Sequence, residues 1–148
     1  MSETERVQNF NTARWFVFAA WTLAIFYLMD IFKPSESPLV DSISGFFGGF
    51  GLPYYTPAKL FHAFTFFTWS VLFAGALAQG YLAQLSVPIK RMCIVATVVF
   101  ACIPEGLQHF NPARTPSWYD VMINVAGGML GLACRELAIR HRTRDLAG

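Results

Sequence analysis

The sequence predicts an all-α fold: a polytopic membrane protein with a four-transmembrane-helix bundle and a short interfacial segment in the first outer loop. Of its 148 residues, 55% are hydrophobic and 14% are charged, whereas soluble domains carry about 25% charged residues. Four apolar runs each approach the roughly 20 residues that a helix needs to cross the hydrocarbon core. The runs are continuously apolar, which favours helices over barrel strands, whose residues alternate.

The four predicted spans lie within one domain covering residues 1–148, at about residues 15–32, 60–82, 92–110 and 118–138. The first is uncharged until Asp30, and its long apolar core and mixed-charge leader distinguish it from a signal peptide. In the second, His62 is the one residue of the types His, Asp, Glu, Lys and Arg. Pro104 and Glu105 interrupt the third, where the proline should kink or loosen the helix. Asp120 stands near the start of the fourth.

The basic residues predict the orientation of these spans. Four spans put both termini and the middle loop on one side, which then holds eight of the 11 Lys and Arg residues. Such a bias places that side, and both termini, in the cytoplasm of a cell-membrane protein. The ionisable residues within the spans are then expected in the outer half of the bundle. The basic C-terminal segment needs no role beyond anchoring this topology.

The long outer connection, residues 33–57, reads KPSESPLVDSISGFFGGFGLPYYTP. Its middle is apolar on one face and rich in glycine, which suits a short helix lying in the membrane interface. Tyr54 and Tyr55 would then lie at the level of the lipid headgroups. A hydrophobic loop folded over the bundle explains the same pattern equally well, and both interpretations stay open.

Polar side chains concentrate where the third and fourth spans meet. Glu105 and Gln108 are three residues apart and share one helix face. A charge within the bilayer is costly, so Glu105 should face the bundle interior and be paired or protonated. Arg114, in the stiff loop NPARTPS, could clamp a phosphate or carboxylate, or pair with Glu105 or Asp120. The cluster is therefore either a structural lock between helices or a binding site.

The start of the fourth span also has a structural explanation. Ser117 and Asp120 have the spacing of a capping box, in which Asp120 would serve its own helix terminus. Asn124 continues the polar face. Beyond it, a glycine seam should let another helix approach closely; its members are Gly127, Gly128 and Gly131.

Several function classes find no support in the sequence. The net charge of +2 is too small to indicate a nucleic-acid partner. The three cysteines, odd in number and within apolar runs, predict neither disulfides nor a metal site. His62 has no partners at a spacing that selects zinc. No cofactor motif and no hydrolytic triad can be assembled.

Two segments carry a resemblance to the VanZ-like membrane proteins. They are KLFHAFTFFTWSVLFAG and PEGLQHFNPARTPSWYDVMINVAGGMLG. The family pattern is Lys-x-x-His opening one helix, then Glu-x-x-Gln, a proline-containing loop with Arg, and Asp-x-x-x-Asn-x-x-Gly. Its residues here would form the ligand site: Lys59, His62, Glu105, Gln108, Arg114, Asp120 and Asn124. An Asp that often precedes the Lys in the family is replaced here by Pro57 and Ala58.

The resemblance implies a function at the outer face, since the family's named member is linked to reduced susceptibility to teicoplanin-type antibiotics. The leading hypothesis is recognition of an anionic envelope lipid or precursor at the outer leaflet. A second is a small membrane enzyme acting on such a lipid, with Glu105 or His62 as the candidate catalytic base. A third is a non-catalytic scaffold that binds a membrane-protein partner through the glycine seam and the apolar outer loop.

Overall fold

Five helices make up the computed structural model, which describes residues 3–28, 38–78, 80, 83–110 and 115–145. No strand occurs within these ranges, so the predicted all-α class is confirmed. Asp30 and Arg114 lie outside the described residues. The helices are α1 (Glu3–Phe26), α2 (Pro38–Gly49), α3 (Thr56–Leu77), α4 (Val87–Gln108) and α5 (Trp118–Asp145).

Three of these helices, α3, α4 and α5, are long and apolar enough to cross a membrane. They correspond to the second, third and fourth predicted spans, and they make the chain a multi-pass membrane protein. The first predicted span, 15–32, extends past the described part of α1, so a fourth transmembrane helix stays a prediction. Helix α2 falls within the connection where an interfacial segment was predicted.

Helix α3 ends at Leu77, five residues before the predicted boundary. The N–H groups of Ala78 and Gly80 bond back to the carbonyls of Ala74 and Gly75, at 3.0 Å each, which closes the helix. In addition, the Arg135 guanidinium donates from Nη2 to Gly80 O at 3.2 Å and to Ala83 O at 2.6 Å. A side chain distant in sequence therefore binds the backbone at Gly80 and Ala83, just beyond the end of α3.

Helix α3 lies at the centre of the bundle, where it contacts each of the other four helices and α5 most extensively. Its Trp69 stacks on Phe100 of α4, with ring centroids 4.4 Å apart and planes 8° from parallel. On the other side, Trp69 Nε1 donates to Thr22 Oγ1 of α1 at 3.1 Å. The buried indole thus packs as an aromatic ring while its N–H is satisfied, as a buried Trp requires.

Helices α3 and α5 run parallel, because successive residues of one contact successive residues of the other. A Cβ added at Gly127 would come within 2.8 Å of Ala63 Cα, and one at Gly131 would come within 3.1 Å of the Phe67 carbonyl carbon. The glycine seam is therefore filled by α3 of the same chain. Since Gly127 and Gly131 are buried there, the seam is not open to a second protein, which removes one of the two surfaces of the scaffold hypothesis.

Candidate functional site at one end of the bundle

The parallel arrangement of α3 and α5 brings together, at the end where both helices begin, side chains that lie about 60 residues apart in sequence. We call this region the polar end and define it by Lys59, His62, Glu105, Gln108, Ser117, Asp120 and Asn124. Six of these seven residues were predicted as site residues. The seventh predicted one, Arg114, belongs to the chain between α4 and α5 that the structure does not describe.

An ion pair joins the first turns of α3 and α5. Lys59 Nζ donates to Asp120 Oδ1, and the two side chains are 30% and 13% exposed. The interpretation of Asp120 as the acidic member of a capping box was wrong: its carboxylate binds the ammonium of a neighbouring helix. The residue spacing within α5 indicated Ser117 as the partner of Asp120. The packing of α3 against α5 instead supplies Lys59, a charged partner.

One turn deeper, His62 meets Asn124. The His62 Nδ1 lies 3.0 Å from Asn124 Oδ1, and the amide oxygen accepts when Nδ1 carries the proton. Asn124 is completely buried. Its Nδ2 has no hydrogen-bond partner among the described residues, which is a costly state for a buried donor. The Lys59–Asp120 and His62–Asn124 pairs therefore lie one after the other along the contact between α3 and α5.

Glu105 connects α4 to the start of α5. Its side chain is buried, at 6% exposure, and its Oε2 accepts the backbone N–H of Ser117 at 2.9 Å. In a capping box, an acidic residue of the same helix makes this bond to the N-cap. Here Glu105 makes it from another helix. Because a helix N-terminus favours negative charge, the position suits a carboxylate.

The third buried polar residue of this end, Gln108, lies one turn after Glu105 on α4, which continues through Pro104 and ends at Gln108. Both side chains are 6% exposed. Buried polar groups at membrane depth are rare unless they serve packing or function. The sequence pattern located them correctly on one helix face, but it gave no indication of the Ser117 contact.

A groove of about 340 Å³ opens beside Glu105, between the end of α4 and the start of α5. Glu105, His109 and Ser117 form its polar part, and most of the remaining wall is apolar. The lining residues are Cys102, Glu105, Gly106, His109, Pro116, Ser117, Trp118 and Val121. Of these, Glu105 alone was a predicted ligand-binding residue. The groove arises from tertiary packing, so no local sequence signal indicated its other walls.

The opposite end of the bundle contradicts one expectation. Ionisable residues were expected only in the outer half of the spans. Arg135, however, is buried, at 5% exposure, beside the connection between α3 and α4. Glu136 forms an ion pair with Lys90 nearby, at 2.5 Å. These residues were interpreted as topology anchors because the orientation argument counts basic residues without locating their partners.

Neither metal ligands nor disulfides emerge from the described residues. No three His, Cys, Asp or Glu side chains lie close enough to hold a metal ion. Cys93, Cys102 and Cys134 are free thiols, the first buried and the other two exposed on the helix surface. The side chains of the polar end offer hydrogen bonding, ion pairing and proton exchange.

Comparison with known proteins gives one family. The sequence model of the family described as VanZ/LLP1 matches residues 6–138, which include all five helices apart from the ends of α1 and α5. No curated protein and no solved structure matches the chain.

Proposed function

The chain belongs to the VanZ/LLP1 family, and we propose that its polar end recognises the anionic headgroup of an envelope lipid. The ligand class would be a polyprenyl phosphate or a peptidoglycan-precursor lipid at the outer leaflet of the cell membrane. The observation that supports the proposal is the groove beside Glu105, which shares Glu105 and Ser117 with the polar end and otherwise has a largely apolar wall. Such a groove matches a molecule with a hydrocarbon chain and a polar head.

Positive charge for the headgroup would come from Lys59 and Arg114. An ammonium group has three donors, and Asp120 accepts one from Lys59. Since Lys59 is 30% exposed, its remaining donors can reach a ligand. A guanidinium matches the geometry of a phosphate with two parallel hydrogen bonds, which is the role we assign to Arg114.

The uncharged polar residues would complete the recognition of the headgroup. His62 and Asn124 supply hydrogen-bonding groups about two turns from the starts of α3 and α5, and Gln108 supplies others at the last residue of α4. Glu105 would accept hydrogen bonds from hydroxyl or amide groups of the headgroup, while its Oε2 keeps the start of α5 in place. By family resemblance, the biological consequence would be a change in susceptibility to glycopeptide antibiotics.

Native mass spectrometry of the solubilised protein with added polyprenyl phosphate tests this proposal. We expect wild type to retain the lipid and Arg114→Ala to lose most of it. Glu105→Gln keeps an oxygen acceptor for Ser117 and removes a negative charge beside the bound phosphate, so it should retain the lipid at least as well as wild type without unfolding the protein. Arg142→Ala, on the far end of α5, is the matched control. Equal retention by all four proteins would overturn the proposal.

The same groove permits a second function, catalysis on such a lipid. Glu105 is the candidate general base because its carboxylate lines the groove and is held at one oxygen by Ser117. Incubation of purified protein with polyprenyl phosphates or diphosphates, with and without chelator, would detect turnover. Product formation that Glu105→Gln abolishes, with lipid retention intact, would favour the enzyme over the binding protein.

A further inference from the structure

A second groove lies at the other end of the bundle, on the surface between the start of α4 and the C-terminal part of α5. It has a volume of about 300 Å³. Its walls are mainly apolar, and three charged side chains stand among them. The lining residues are Leu85, Lys90, Ile94, Met129, Leu132, Ala133, Glu136 and Arg140. No residue of this groove belongs to the polar end.

The charges in this groove do not balance. Lys90 Nζ lies 2.5 Å from Glu136 Oε1, and Arg140 Nε lies 3.8 Å from the same oxygen. Two cations thus share one carboxylate, which leaves one net positive charge. The Arg140 side chain is 66% exposed and that of Lys90 is 37% exposed, so both cations are accessible to an external anion.

We propose that this groove is a binding site for an anionic glycerophospholipid. The phosphate would meet Lys90 and Arg140, and one acyl chain would lie along Ile94, Met129 and Leu132. The excess positive charge above an apolar wall is the complement of a lipid with an anionic head. In the predicted orientation, the groove faces the cytoplasmic leaflet, where anionic lipids concentrate.

Glu136 has a definite role in this site. Its carboxylate holds the two cationic side chains together at the groove, but it also competes with the lipid phosphate for them. Removing its charge should therefore strengthen lipid binding. If the ion pair were purely structural, loss of Glu136 would be expected to weaken lipid binding, since it would only loosen the contact between α4 and α5.

The test measures the preference of the protein for spin-labelled phosphatidylglycerol over spin-labelled phosphatidylcholine in reconstituted vesicles of phosphatidylcholine. Each basic residue near a charged membrane surface contributes enough to change binding about fivefold. We expect Arg140→Ala, which leaves the Lys90–Glu136 pair in place, to reduce the preference several-fold. Glu136→Gln should increase it, and Met129→Trp should reduce it by filling the apolar part of the groove.

Arg142→Ala is the control, because it removes an exposed cation of the same helix that does not line the groove. An equal loss of preference in Arg142→Ala and Arg140→Ala would overturn the proposal in favour of diffuse surface charge. A reduced preference in Glu136→Gln, or no effect of Met129→Trp, would also contradict it. Since Glu105 lies at the other end of the bundle, the outcome is independent of the proposed envelope-lipid site.

Discussion

At the residue scale, Glu105 combines a structural contact with a position in a groove. Its Oε2 accepts the Ser117 N–H, and this bond fixes the first turn of α5 against the end of α4. The same carboxylate lines the groove of the polar end. Variants that separate the hydrogen bond to Ser117 from the charge of Glu105 therefore distinguish a structural lock between helices from a binding site.

We predict that Glu105→Ala destabilises the protein more than Glu105→Gln does. Alanine leaves the partly buried N–H of Ser117 without its acceptor, which costs up to about 1–3 kcal/mol, whereas glutamine retains an acceptor oxygen. Thermal unfolding in detergent, followed by circular dichroism, measures the difference. Equal melting temperatures for the two variants would show that the hydrogen bond contributes little to stability.

The sequence located the residues of the polar end but not their pairing. Lys59 with its Lys-x-x-His pattern and Asp120 with its Asp-x-x-x-Asn pattern were each recognised on a separate helix. Their contacts join residues separated by 61 and 62 positions, and no local rule indicates a partner so distant. Asp120 was misinterpreted for this reason, because a cap within its own helix is the nearest explanation that spacing offers.

At the element scale, the contact between α3 and α5 depends on small residues. Added Cβ atoms at Gly127 and Gly131 would collide with the backbone of α3, which cannot move aside as a flexible side chain can. The seam was recognised from its spacing, whereas the identity of the facing helix came from the structure. Similarly, the early end of α3 could not be predicted because Arg135, 55 residues away from Gly80, binds the backbone there.

We predict that Gly127→Ala destabilises the bundle, since its methyl group would overlap the Ala63 backbone. Overpacking costs about 1–3 kcal/mol, which exceeds the gain of up to about 1 kcal/mol in helix propensity. Gly106→Ala is the matched control, because a Cβ there meets nothing within 4 Å, and it should not lower stability. Denaturant unfolding in mixed micelles provides the comparison.

A pH-dependent contact joins helix α2 to the connection between α2 and α3. Tyr54 donates its hydroxyl hydrogen to Asp41 Oδ1 at 2.6 Å, and this bond to a carboxylate raises the pKa of Tyr54 above its ordinary value. Only the protonated phenol can donate. The contact is therefore fully present below a pH of about 10 and lost as the pH rises through the elevated pKa.

We predict that Asp41→Ala shifts the titration of Tyr54 to lower pH. The Tyr54 transition is isolated as the difference between proteins with and without Tyr54→Phe, followed by phenolate absorbance. Tyr55→Phe is the control, and it should leave that transition in place. An unchanged Tyr54 titration in Asp41→Ala would show that the hydrogen bond does not persist in the lipid or detergent environment.

At the scale of the whole molecule, composition and the length of apolar runs were sufficient to predict an all-α, multi-pass membrane protein. Three spanning helices are found in the described residues. The fourth span and the orientation stay predictions: the former extends into residues that are not described, and the latter depends on the distribution of basic residues. That distribution alone predicts that the polar end lies on the outer side of the membrane.

We predict that Tyr55→Cys, in a background without native cysteines, reacts with a membrane-impermeant maleimide applied to intact cells. Thr143→Cys should react only after the membrane is permeabilised. Both positions are exposed, so a difference in labelling reports the side of the membrane. The reverse pattern would show that the polar end faces the cytoplasm and would remove the basis for an outer-leaflet ligand.

The distance in sequence between the partners of the polar end has a consequence for biogenesis. When α3 leaves the ribosome and enters the translocon, the partners of Lys59 and His62 have not yet been synthesised. Asp120 and Asn124 follow 61 and 62 residues later. At roughly 5–20 residues per second, this interval lasts about 3–12 s. A nascent chain that stalls after α4 thus exposes an uncompensated lysine to lipid, a feature by which quality-control proteases could distinguish it from the finished protein.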